Sequence, residues 1–78
     1  MTDTDSKDID PYLRRRLAEH VRNLRLAKGI SQELLSVQCG FHRTYVSHIE
    51  RAATNITLDN LQKLALGLDV DPSELLSR

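Results

Sequence analysis

The sequence predicts an all-α domain of five helices. Three observations lead there. Apolar residues recur at spacings of three and four along most of the chain, the period of a helix with one buried face. Capping residues stand just ahead of these runs, and Gly29 and Gly40 stand just behind two of them. No segment carries a strand signal.

Residues 1–9 are polar and acidic without periodicity and read as a disordered arm; residues 10–78 form the folded domain. Asp10-Pro11 reads as a helix start, with Asp as the N-cap and Pro at the first helical position. Leu13, Leu17, Val21 and Leu24 then define a first helix from about Pro11 to Lys28. Gly29 stops it and Ile30 re-enters the core. Ser31 caps a second helix over about Gln32–Cys39, with Leu35 and Cys39 on its buried face. Gly40 supplies the positive φ of a tight turn, Phe41 plugs that turn, and His42 caps a third helix over about Arg43–Arg51. Val46 and Ile49 mark the core side of that helix.

Thr57 caps a fourth helix over about Leu58–Leu68. Its buried stripe is read as Leu58, Leu61, Ala65 and Leu68, with Leu66 on the opposite side and Gly67 weakening the last turn. Asp71-Pro72-Ser73-Glu74 has the form of a capping box and starts a last helix through about Leu76.

A chain of 78 residues fits one domain with a thin core. No apolar run approaches the ~20 residues of a membrane span, and the acidic amino terminus does not read as a signal peptide. Cys39 is the single cysteine, so no internal disulfide can form, and a cytoplasmic location is expected. The formal net charge is zero, but it is unevenly spread: −3 over residues 1–10, +5 over 11–51 and −2 over 52–78. A local basic face matters more for binding phosphates than the total.

Catalytic and metal chemistry find little support. Cys39 and His42 are three apart, and His20 and His48 complete the set, whereas a metal needs three or four converging ligands. Ser47, His48 and Glu50 are nucleophile, base and acid types, but they crowd one short helix and point in different directions. No enzyme activity, metal or cofactor is expected. Arg14-Arg15-Arg16 is read as a solvated face or as paired with the acidic arm, ahead of a contact to DNA.

The stretch Ser31–Arg51, SQELLSVQCGFHRTYVSHIER, reads as helix, tight turn, helix. Taken with Arg25, Gly29, Asn55, Leu58, Leu61 and Asp71-Pro72-Ser73-Glu74-Leu75, it resembles the phage-repressor-type helix-turn-helix family, also called the XRE family. Within that family it is most similar to the restriction–modification controller proteins. The resemblance runs from about Leu17 to Leu76.

The resemblance implies a phage-repressor-like fold and a sequence-specific DNA-binding transcriptional regulator. It would bind a palindromic operator as a homodimer. Arg43, Thr44, Ser47 and His48 would read bases from the major groove. Gln32, Tyr45, Arg51 and Asn55 would contact phosphates. Arg25 and Glu50 would form a buried bridge holding the reading helix on the core. Leu66, Leu75 and Leu76 would join the dimer. Double-stranded DNA and a second copy are the expected partners, RNA polymerase is a candidate third, and neither a membrane nor a small-molecule effector is expected.

The chain departs from the family pattern at several positions. Ala52 and Asp69 stand where glycine is usual, Thr54 where a basic residue is common, and Ile56 where proline is. Ser36 replaces a small alanine, and Leu34 and Val37 replace charged residues, giving an apolar patch on the second helix. That patch and the arm keep open an alternative: a protein-interaction module such as an antitoxin, beside the reading as a phage-type repressor.

Overall fold

Helix α1 (Tyr12–Lys28) is the longest element, and α2 (Gln32–Gln38), α3 (Tyr45–Glu50), α4 (Leu58–Leu68) and α5 (Pro72–Leu76) follow it in order. This computed structural model describes residues 9–78; except for Ile9, the expected arm lies outside the described residues. No strand occurs among the described residues. Helix α1 packs against α3 and α5, α2 against α3, and α4 against α5. Every helix contributes to one core: Leu17 and Val21, Leu35, Val46 and Ile49, then Leu61, Leu64, Ala65 and Leu68, and finally Leu75. No helix among the described residues is long and apolar enough to cross a membrane.

The caps show how local chemistry sets the boundaries. Ser31 Oγ accepts the Leu34 amide at 3.0 Å, and Thr57 Oγ1 accepts the Asn60 amide at 3.1 Å. Each side chain satisfies one of the amides that a helix start leaves without a partner. Asp71 accepts the Ser73 amide at 2.9 Å, with Pro72 in the first turn of α5. Asp71 caps the second helical amide rather than that of Glu74, and Glu74 makes no return bond among the described residues, so the start is a simple Asp cap and not the expected capping box. Gly40, at φ 81°, turns the chain between α2 and α3.

Several expectations are corrected. Asp10 does not cap α1; Pro11 holds the N-cap position, and the Asp10 carboxylate pairs with Arg15 at 2.8 Å instead. Leu13 lies on the solvent side of α1, because the first turn projects beyond the core. Helix α2 ends at Gln38, with Cys39 as its C-cap, still buried. Helix α3 is shorter than expected. Its N-cap is Thr44, so Arg43 and Thr44 stand in the turn ahead of it, and His42 accepts the Thr44 amide in that turn rather than capping the helix. On α4, Leu58 is 82% exposed while Leu64 is fully buried, so the core stripe is Leu61, Leu64, Ala65 and Leu68. Leu66 is exposed, as expected. Leu75 has no exposed surface and is a core residue of the single chain, which removes it from the expected dimer contacts.

Two positions flagged by departure from the family pattern are conformationally special. Ala52 has φ 57° and Asp69 φ 59°, the left-handed region that favours glycine. Asp tolerates this region better than Ala, since its short polar side chain can bond locally. Gly67 has another constraint: a Cβ built there would overlap the sulfur of Cys39. The glycine on α4 thus lets the carboxyl end of α2 approach closely.

Two stability measurements test this account. Ala52→Gly relieves a left-handed alanine costing about 1–2 kcal/mol and loses part of that gain to chain entropy. Its urea midpoint should rise, by about 0.5–1 kcal/mol of stability; an unchanged or lower midpoint contradicts the strain. Gly67→Ala should destabilise by about 1–3 kcal/mol through overpacking. In a Cys39→Ala background the same change should become neutral or favourable, and a penalty that persists there would place the clash elsewhere.

Candidate nucleic-acid interface

Helix α3 spans only six residues, Tyr45–Glu50. So short a helix is not stable alone, and its position must come from its neighbours. Val46 and Ile49 face inward and are buried. Three polar contacts then fasten it to three other elements.

At its carboxyl end, Glu50 meets Arg25 of α1. Arg25 Nε donates to Glu50 Oε2 at 2.7 Å and Nη2 to Oε1 at 3.1 Å, a two-pronged pair. The Glu50 side chain is 2% exposed and that of Arg25 11%. Gln32 Nε2 adds a third donor to Glu50 Oε1 at 2.9 Å, and Arg25 Nη1 donates to the Ile30 carbonyl at 2.9 Å. Burial by itself would raise the Glu50 carboxyl. The bonds from Arg25 and Gln32, with the charges of Arg25 and Arg22, outweigh it and hold the group below its usual range. The guanidinium of Arg25 is raised, chiefly by the bond to Glu50.

At its amino end, α3 is tied to α2 by Ser36. Ser36 Oγ accepts the Val46 amide at 3.0 Å and donates to the Gln32 carbonyl at 2.9 Å. This fully buried serine satisfies an amide that the start of α3 leaves open. Tyr45 makes the third contact. Its ring meets Phe41 edge-on, with centroids 4.7 Å apart, and its hydroxyl accepts from Asn60 Nδ2 of α4 at 3.2 Å.

The opposite side of α3 and the turn before it are open. Arg43, Thr44, His48 and Arg51 are exposed, and Ser47 is half-buried. Arg43 makes no ion pair or side-chain hydrogen bond among the described residues. Thr44 Oγ1 lies 3.0 Å from His42 Nδ1, Ser47 Oγ donates to the Thr44 carbonyl at 3.0 Å, and Arg51 Nη2 lies 2.9 Å from His48 Nδ1. The four expected base-reading residues therefore gather along one open edge, and Arg51 and the exposed Asn55 flank it.

Other expected contacts are modified. The Gln32 carboxamide is drawn into the bridge, which leaves one of its N–H groups for any phosphate. The Tyr45 oxygen accepts from Asn60, which leaves its O–H to donate outward. In the arginine run, Arg15 pairs with Asp10 and Arg16 lies over the Tyr12 ring at 4.8 Å, so two of the three have local partners. Leu66 is exposed and Leu76 half-buried, and the α2 patch of Leu34 and Val37 is open to solvent. No group of three metal-ligating side chains converges among the described residues. Burial pushes the Cys39 thiol up, so it stays protonated.

The polar fastening by Ser36 and Tyr45 was not read from the sequence. Ser36 carried one usable signal, a hydroxyl four residues after Gln32 at a helix–helix crossing. His42 and Arg51 act on neighbouring side chains, and no spacing rule points to that.

The helix-turn-helix family HTH_3 matches residues 21–75. The chain is 48% identical over 59 residues to the control protein C.BamHI of Bacillus amyloliquefaciens, spanning 74% of this chain and 73% of that protein. A crystal structure of a hypothetical transcription factor from Neisseria superposes with a TM-score of 0.82 at 47% identity, covering 88% of this chain and 80% of the other. The restriction–modification controller protein C.Esp1396I, solved as a tetramer with its natural 35 base-pair operator, superposes with a TM-score of 0.74 at 33% identity, covering 82% and 84%.

The bridge makes a pH-dependent prediction. The folded carboxyl of Glu50 lies below its ordinary value of about 4.5, so its contribution is complete above that value and fades as pH falls through the lowered one. At neutral pH Glu50→Gln should destabilise by about 3–5 kcal/mol, since it leaves the Arg25 charge buried without its partner. The gap between wild type and variant should narrow in acid. A gap that stays constant to the lowest pH would mean that Glu50 is not held ionised by this pair.

Proposed function

The chain belongs to the helix-turn-helix family HTH_3, and from that membership we propose that it is a sequence-specific DNA-binding transcription regulator of the restriction–modification controller kind. One observation carries the reading. A short helix is fastened on three sides and, with the turn before it, presents Arg43, Thr44, Ser47 and His48 along a free edge. Such an edge suits the major groove, where each base pair shows a distinct pattern of donors and acceptors. The relative solved on its operator supports the same use.

In this reading two copies bind a palindrome, with reading helices about one DNA turn, ~34 Å, apart. Arg51, Asn55, the Tyr45 hydroxyl and the remaining N–H of Gln32 hold phosphates and fix register. The exposed Leu66, 73% accessible, and the half-buried Leu76 join the copies, while Leu75 supports that face from within. RNA polymerase is the partner through which such a regulator would act, with no small-molecule effector and no catalytic step, in the compartment that holds the DNA. The exposed Leu34 and Val37 favour one second reading, a protein-interaction module that uses the outer side of α2.

Selection of bound duplexes from a random pool separates the two. A regulator enriches a palindrome with half-sites one turn apart, and its log affinity falls linearly with log salt. No enriched site would leave the interaction module. Arg43→Ala should keep the helical content and lose roughly 1–3 kcal/mol of discrimination at one base pair of each half-site. An unchanged base preference would remove Arg43 from the reading edge.

A further inference from the structure

The open edge of α3 has a fixed hydrogen-bond polarity, set by contacts among its own side chains. Two of these contacts determine where ring protons lie. The Thr44 backbone amide can only donate, and it points at His42 Nδ1 at 3.3 Å. Nδ1 of His42 is therefore an acceptor, and the neutral ring carries its hydrogen on Nε2. The Thr44 hydroxyl faces the same nitrogen at 3.0 Å. With no hydrogen on that nitrogen, the hydroxyl must donate to it, and its outward side shows only lone pairs.

The same logic applies one turn later. A guanidinium has donors and no acceptor, so Arg51 Nη2 donates to His48 Nδ1 across 2.9 Å. The outward nitrogen of His48 is then Nε2–H, a donor. Ser47 spends its proton on the Thr44 carbonyl at 3.0 Å and also shows lone pairs.

We infer that His42 and Arg51 are positioning residues: His42 fixes Thr44 as an acceptor and Arg51 fixes His48 as a donor toward DNA, beside Ser47, whose own bond to the Thr44 carbonyl leaves it an acceptor. This rests on the base-reading function proposed above. It narrows the readable bases. Thr44 and Ser47 face amino groups, N6 of adenine or N4 of cytosine. His48 faces an acceptor, N7 or O6 of guanine, N7 of adenine or O4 of thymine. A free hydroxyl both donates and accepts and would discriminate poorly; a hydroxyl whose proton is already committed discriminates between the two edges.

The test has a spectroscopic arm and a selection arm, both on the full chain. Two-bond proton–nitrogen correlation of the imidazoles at pH about 8, above the ordinary range of a histidine, should place His42 and His48 at the limiting shifts of the Nε2–H form. Arg51→Met should move His48 alone toward averaged shifts. Averaged or Nδ1–H shifts in the wild type overturn the inference.

In the selection arm, His42→Phe removes the acceptor and leaves Thr44 free to donate. Preference at the base opposite Thr44 should fall by roughly five- to tenfold, the scale of one hydrogen bond. His42→Asn, whose carboxamide oxygen lies near the place of Nδ1, should restore it. Unchanged preference in His42→Phe, or acceptor edges selected opposite Thr44 in the wild type, overturns the inference while base reading stands. A wild type that selects no sequence, even with rings at their limiting shifts, removes base reading and with it the role assigned here.

Discussion

The pair between Arg25 and Glu50 is the constraint on which the rest depends. It joins α1, the longest helix, to the end of the six-residue α3, and it recruits Gln32 from the start of α2. Two charges this far out of water are stabilising only when their remaining donors and acceptors are used. Here they are. Glu50 receives three N–H groups, and a third N–H of Arg25 goes to the carbonyl of Ile30. That last bond also shapes the turn after Gly29, so one guanidinium governs both the entry into α2 and the tilt of α3.

The other two fastenings share a logic with the first. Each ends on a polar atom that would be costly to bury alone: a carboxylate at Glu50, a free amide at Val46, a phenol at Tyr45. Apolar contacts from Val46 and Ile49 supply burial, but such contacts have no direction and would tolerate a rotated helix. The polar contacts do not tolerate it. A rotation of α3 about its axis breaks all three together, so the angle at which the edge is presented is set by hydrogen bonds and its depth by packing.

Much of the fold was legible because the signals are local. Ser31 and Thr57 cap as their types and places predict, and the residues that depart from glycine at Ala52 and Asp69 do sit at positive φ. The apolar residues that were misplaced failed on long-range packing. Leu58 fits the α4 stripe by spacing, yet the helix starts beyond the edge of the core, and Leu64 takes the buried place. Leu13 misleads for the same reason at the start of α1. Leu75 looked like a spare apolar residue until α5 folded against α1. Asp10 had a partner, Arg15, that competed with its cap. The exposed set of Arg43, Thr44, Ser47 and His48 was expected through resemblance, and the side chains bonded to it were not. His42 and Arg51 act through proton positions, which residue types and spacing do not encode.

Within the nine residues from His42 to Glu50, exposed and fastened positions are interleaved but carried by different side chains. Tyr45, Val46, Ile49 and Glu50 face the body of the domain, while Arg43, Thr44, Ser47 and His48 lie along the free edge. The two sets share few contacts, so their energetic effects should be close to additive. Base preference in such a module can therefore change without loss of the fold. Coupling does occur within the exposed set, as where Ser47 donates to the Thr44 carbonyl just ahead of α3. Thr44, Ser47 and His48 each bond a neighbour while Arg43 does not, so the edge is a partly coupled set rather than four independent positions.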